Sequence, residues 1–314
     1  MTVAEPIRVL LGPQSPHANI GEAVANAALP DGPLAVISAG WQEAEGDIDD
    51  LRALVGRPLE ELYLYRRAEE VAAGAPQLKA ARRQRQDRLI AQQRIYRLRL
   101  RQLSIAARHT LGAEGDADMI AAEQRHAIAQ LRALDRHHLR RSESIWRAFN
   151  EAHGPESDAA LARHAQEIGD TIDRCAGVLI TGGNIAILIN RMRLFGVERL
   201  LRHSNVVAWS AGAMALAKRI VLFHEHSPEG RRDAEVLGAG CGVLSGQVFL
   251  PDTQHRLRAG ERRRVELLCR RFAPETCIAL DNGAELHLDA AGVRRAVAVR
   301  RLNRDGRFVT VRAR

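Results

Sequence analysis

The sequence predicts an α/β protein in which a mostly parallel sheet is flanked by helices and interrupted by a long helical hairpin. Three observations carry this expectation. Short apolar runs alternate with helix-length amphipathic ones near both ends of the chain, residues 68–110 are almost free of Gly and Pro, and two apolar runs end in small residues that open straight into helices.

The first alternation begins with Ile7-Arg8-Val9-Leu10-Leu11, which stops at Gly12-Pro13. Pro33-Leu34-Ala35-Val36-Ile37-Ser38 stops at Ala39-Gly40, and Leu59 to Tyr65 is a third strand-length run. Between them, Asn19 to Leu29 is Ala-rich and helix-favouring, and Asp47 to Val55 places Ile48, Leu51 and Leu54 on one helical face. Leu78 to His109 then sets Leu89, Tyr96, Leu100, Leu103 and Ala107 on one helix stripe, up to a turn at Gly112-Ala113-Glu114-Gly115. Asp116 is the expected N-cap of a second limb carrying Ile120, Ile128, Leu131 and Leu134 towards Trp146 and Phe149. After Gly154-Pro155, Asp158 to Cys175 forms a third helix.

The last part is strand-rich: Gly177 to Thr181, Asn205 to Trp209, Ile220 to Phe223, Gly246 to Leu250 and Cys277 to Leu280. A closing hairpin with its turn at Asp305-Gly306 joins the runs containing Val297 and Val309. The expected organisation is therefore residues 1–67 as the first part of the α/β domain, 68–154 as an Arg-rich helical hairpin, and 155–314 as the second part.

Length and composition exclude some classes. A chain of 314 residues with 46% hydrophobic content can bury a core and is not wholly disordered. The formal charge is +8, yet Pro76 to Thr110 alone carries ten basic residues against Asp87, so the remainder is near neutral. No stretch reaches the roughly 18 apolar residues of a membrane span, and Met1 to Gly12 lacks a signal-peptide pattern, which sets the expectation of a cytoplasmic protein without a membrane partner. Cys175, Cys241, Cys269 and Cys277 sit singly in apolar contexts, as buried reduced thiols do.

The sharpest chemical signal is Val206-Val207-Ala208-Trp209-Ser210-Ala211-Gly212-Ala213-Met214: a strand, a serine, small residues, a helix. A nucleophile elbow needs this pattern, because a tight turn lifts the hydroxyl out and small neighbours let the chain pass closely. An ordinary turn with Ser210 as a helix cap fits the fragment equally. A second signal, Thr181-Gly182-Gly183-Asn184, ends the preceding strand and opens another helix. Ligands of α/β sheets bind at strand carboxyl ends, so both turns face one crevice. A dinucleotide or phosphate reading of Gly182-Gly183 is poor, because there is no third glycine at fingerprint spacing and no Walker lysine.

Gly182-Gly183-Asn184, then Trp209-Ser210-Ala211-Gly212, then Gly240-Cys241-Gly242-Val243-Leu244-Ser245-Gly246 together resemble the cyanophycinase and dipeptidase E group of serine peptidases. That resemblance implies a class I glutamine amidotransferase-like fold, a small peptide or isopeptide substrate and no cofactor or metal. It implies Ser210 as nucleophile, the amides of Gly183 and Ala211 as oxyanion donors, and Gly182 and Asn184 as crevice residues. The family places a histidine where this chain has Asp252, and His255 follows three residues later. Its acid is expected at Asp281, beside Asn282.

Two readings follow. In one, His255 is the base and Asp281 orients it; in the other, the pocket persists without proton transfer and the protein is a silent binding or oligomeric scaffold. His224-Glu225-His226 could project two rings to one face but reads as a solvated loop, and His126, His137, His138 and His164 read as surface. The basic limb admits a solvated or internally packed face, a homo-oligomer contact, or binding of nucleic acid or another polyanion.

Overall fold

The computed structural model describes residues 5–223, 233–257 and 260–314. In chain order the elements are β1 (Arg8–Leu11), α1 (Ile20–Asn26), β2 (Leu34–Ile37), a 3-10 turn (Ala39–Ala44), α2 (Asp49–Val55), β3 (Leu59–Glu61), α3 (Leu64–Gly74), α4 (Pro76–Leu111), α5 (Ala117–His153) and α6 (Ala159–Asp173). There follow β4 (Gly177–Ile180), α7 (Ile185–Leu194), α8 (Val197–Leu200), β5 (Val206–Trp209), α9 (Ala211–Leu216), β6 (Arg219–Leu222), β7 (Glu235–Ala239) and β8 (Gln247–Pro251). The chain closes with α10 (Thr253–Arg256), α11 (Arg262–Phe272), β9 (Thr276–Leu280), β10 (Glu285–Asp289), β11 (Gly292–Val297), β12 (Arg300–Leu302) and β13 (Phe308–Thr310).

The main sheet runs β11-β10-β1-β5-β4-β2-β3, with the five strands from β1 to β3 parallel and β10 and β11 antiparallel. Its central strands are buried throughout because both faces are covered, which is why they read as continuous apolar runs. Leu10, Ala35, Ile37, Val178, Ile180, Val206 and Ala208 face α6, α7, α9 and the base of the α4–α5 hairpin. The alternate residues Val9, Leu11, Leu34, Val36, Leu179 and Val207 face α1 and α2.

The expected single sheet is divided. β8 and β9 belong to a second sheet ordered β13-β12-β9-β8, and among the described residues β6 pairs only with β7. The terminal hairpin is also redrawn: Val297 ends β11 and pairs with Glu285 on β10, whereas β13 pairs with β12. Ala298, at φ 52, breaks the run and passes the chain from one sheet to the other. The turn at Asp305-Gly306 stands as expected, with Gly306 at φ 80.

The hairpin's two helices are α4 and α5; the expected start at residue 68 falls inside α3, and the first limb begins at Pro76. Asp116 caps α5 by accepting from Met119 N at 2.9 Å, and Asp158 caps α6 through Ala160 N and Leu161 N. Tyr96, Leu100, Ala107, Leu131 and Leu134 are buried against α11 and the second sheet, so the Arg-rich limb is packed along one face. His138 corrects the surface reading: it is buried and stacked on Tyr96 at 4.1 Å between ring centroids. His164 is held by Arg67 at 2.8 Å. The four cysteines are free thiols. Among the described residues, no helix is long and apolar enough to cross a membrane.

Candidate active site

β4 and β5 lie side by side and parallel, with Leu179 opposite Val207 and Ile180 opposite Ala208, so their carboxyl ends open together. Past β5 the chain turns at once into α9, and Ser210 takes up φ 50, ψ −114. A side-chain-bearing residue adopts this backbone region at a cost of about 1–3 kcal/mol, and only where its surroundings hold it there. Two bonds do so: Ser210 N donates to Leu11 O at 3.1 Å, and Ser210 O accepts from Met214 N at 3.1 Å. Gly212 completes the clamp, since a Cβ there would lie 2.4 Å from the Ile180 carbonyl oxygen.

The other glycines let neighbouring turns converge on Ser210. A Cβ on Gly182 would lie 3.2 Å from Ser210 Cβ, and one on Gly183 would lie 2.5 Å from Gly40 O. Asn184 N donates to that same Gly40 oxygen at 2.8 Å, joining the turn after β2 to the turn after β4. Neither the Gly183 nor the Ala211 amide has an acceptor among the described residues. The Asn184 side chain caps α7, its Oδ1 accepting from Ala186 N and Ile187 N at 3.0 and 3.2 Å.

The β8 turn reaches the same region through β1 and β9. Gly12, following Leu11, is packed against the Asp281 carbonyl, and Asp252 N donates to Leu280 O at 3.0 Å. Asp252 is left-handed at φ 63, ψ 46, and α10 brings His255 back over it, so that His255 Nδ1 and Asp252 Oδ1 are 2.6 Å apart. With Nδ1 donating to the carboxylate, Nε2 is the free acceptor of the ring. Arg256 Nε also donates to Asp252 at 3.3 Å.

Asp281 does not orient His255. Its carboxylate is taken by Thr253 Oγ1 at 2.9 and 3.0 Å, Gln254 N at 3.1 Å and Arg300 at 2.6 Å, which anchors the amino end of α10. The His255 side chain is 81% exposed, and the Ser210 hydroxyl has no hydrogen-bond partner among the described residues. His224-Glu225-His226 lies outside the described residues. Among those described, no group of three or more His, Cys, Asp or Glu side chains is placed to hold a metal.

No family model and no curated protein matches the sequence. Among solved structures, the chain is similar to the crystal structure of a peptidase from an acI-B1 Actinobacterium, at 12% identity and a TM-score of 0.44, over 98% of this chain and 97% of that one. A likeness this loose transfers no residue role.

Four participants had no local signal. The Gly40-Trp41 turn reaches Gly183, with Trp41 Cδ1 3.0 Å from where a Gly183 Cβ would lie. Thr253 and Arg300 meet Asp281 from elements distant in sequence. Glu45 ties the same 3-10 turn to α3 by accepting from Tyr65 N and Arg66 N at 2.9 Å each, and burial raises its carboxyl pKa.

Proposed function

We propose that this protein is a serine hydrolase of peptidase type, acting on a small peptide or isopeptide through Ser210. The observation that carries the reading is the strained Ser210 backbone, φ 50, ψ −114, between a buried strand and a helix. Strain at a residue with no structural need for it is a feature of reactive sites. Ser210 Oγ attacks the carbonyl carbon, and the Gly183 and Ala211 amides receive the developing oxyanion. His255 Nε2 takes the hydroxyl proton after a side-chain rotation and returns it to the leaving amine, while Asp252 fixes the tautomer and stabilises the imidazolium. Asp281 is a positioning residue that holds the α10 turn.

The test is labelling with a fluorophosphonate probe, which forms a bond from Ser Oγ to phosphorus and expels fluoride. Wild type is expected to label, Ser210→Ala not at all, and His255→Ala more slowly by about a hundredfold. Absence of any Ser210-dependent adduct would remove the reading. The exposure of His255 and the unpartnered Ser210 hydroxyl favour a second reading, a silent scaffold that self-associates through α4, where Ile95 and Leu98 stand 61% and 64% exposed. That outcome requires no labelling together with a dimer in sedimentation that Leu98→Glu dissociates.

A further inference from the structure

We propose that the groove between α5, α11 and the β12–β13 turn is a docking site for an acidic polypeptide segment, independent of the hydrolase reading. The groove encloses about 860 Å³. Arg125, Arg132 and Arg136 stand along one wall at i, i+7 and i+11 of α5, and Arg270 and Arg304 face them from the other side. At 1.5 Å per residue the α5 arginines span about 16 Å, the length of roughly five residues of extended chain.

Four of these five arginines have no acidic partner among the described residues, and only Arg270 is paired, with Glu266. Arg125, Arg136 and Arg304 are exposed and have no acidic partner among the described residues. Arg132 donates only to the carbonyls of Arg271 and Arg270, at 3.1 and 2.6 Å. Burial lowers the Arg132 pKa, and neighbouring Arg304, Arg136 and Arg219 lower it further. The acids nearby are already engaged: Glu266 with Arg270 at 2.7 Å and Asp305 with Arg307 at 3.5 Å. Crowded like charges repel, and an occupant carrying carboxylates relieves that repulsion.

The lining selects among polyanions. Its floor is apolar, formed by Ile128, Ala129, Ala273 and Pro274, and no aromatic ring is present to stack a base. Carboxylates alternating with small apolar side chains match a floor and rim of this kind, whereas a nucleic-acid strand finds the phosphate contacts and no platform for its bases.

The experiment uses the full chain and a fluorescein-labelled Glu-Ala repeat peptide, read by fluorescence anisotropy across a salt series. Saturable, salt-sensitive binding is expected. The double variant Arg125→Gln/Arg136→Gln should weaken it by about tenfold, while Arg94→Gln, at an exposed arginine of α4 with no acidic partner among the described residues, leaves it within about twofold. Unchanged melting temperatures show that the variants are folded. The proposal fails if no saturable binding is seen, or if Arg94→Gln weakens binding as much, which marks diffuse attraction. It also fails if single-stranded DNA of matched length binds the same arginines more tightly than the peptide.

Discussion

The docking of the hairpin on the rest of the molecule can be tested at one buried ion pair. Arg271 of α11 donates to Asp135 of α5 through Nε at 2.7 Å and a terminal nitrogen at 2.6 Å, with the two side chains 3% and 0% exposed. The same guanidinium donates to Tyr96 Oη of α4 at 2.7 Å and to Ala234 O at 2.6 Å. Tyr96 in turn donates to Asp135 at 2.8 Å and accepts from Val236 N of β7 at 3.0 Å. Burial opposes the Arg271 charge, but Tyr96 and Asp135 more than offset it and raise its pKa; burial above all raises that of Tyr96.

Asp135→Asn keeps the shape and removes the counter-charge, leaving a guanidinium in a site with almost no access to water. Breaking one side of a buried pair costs about 3–5 kcal/mol, a large part of the roughly 5–15 kcal/mol by which a domain is stable. Adding Arg271→Met removes the stranded charge, so the double variant should recover about 2 kcal/mol or more relative to the sum of the singles. Urea denaturation followed by circular dichroism measures the loss. Hydrogen exchange locates it, with α4 and α5 expected to lose protection before the main sheet. A loss below about 1 kcal/mol for Asp135→Asn, or strict additivity in the double variant, would refute the reasoning.

Two further outcomes are expected. Ser210→Gly should raise stability by about 1 kcal/mol while abolishing labelling, because relief of about 1–3 kcal/mol of backbone strain exceeds the added entropy of an unfolded glycine; a less stable variant in urea melts would count against strain at the elbow. His138 should make stability fall in acid: burial lowers its pKa from the ordinary 6.5, despite Asp135 and Glu235 nearby, so its contribution is full above 6.5 and drains away as pH falls below it. Melting temperatures between about pH 5 and 8 should diverge from those of His138→Phe, which keeps the ring on Tyr96; parallel curves would exclude His138 as the cause.

The elements that carry the elbow were legible because they depend on local pattern. Val206 to Trp209 and Gly177 to Ile180 are fully buried strands, and each ends in small residues for a steric reason that the close approaches of Gly182 and Gly212 make concrete. That Asp281 and His255 do not meet depends on backbone shape at one residue. Asp252 adopts a left-handed conformation and α10 starts behind it, so His255 folds back three residues along the chain instead of reaching Asp281. Asp281 meanwhile meets Arg300 across strands whose pairing no periodicity announces. His138 was misread for a related reason. Its neighbours in sequence are charged, but it lies on the α5 face that turns inward against Tyr96.

Charge by segment and charge by surface come apart in the hairpin. The basic limb holds the whole excess, yet Arg82, Arg97 and Arg108 of α4 are paired with Glu69 of α3, Glu235 of β7 and Asp233 just before β7. Arg85 is buried against Trp146 and Phe149 at 3.9 and 4.3 Å from their ring centroids. Much of the α4 charge is therefore committed to holding the hairpin down, where an arginine stem also covers apolar surface. α5 has six arginines against five acids and reads as nearly neutral. Its acids are not spread evenly, however: Asp135 is drawn inward by Arg271 and Glu143 is taken by Arg193 of α7 at 2.8 Å, which leaves Arg125, Arg132 and Arg136 together on one outer wall. An unmatched basic face is thus created by which acids the fold consumes, and it lies on the limb that the composition marks as the less basic one.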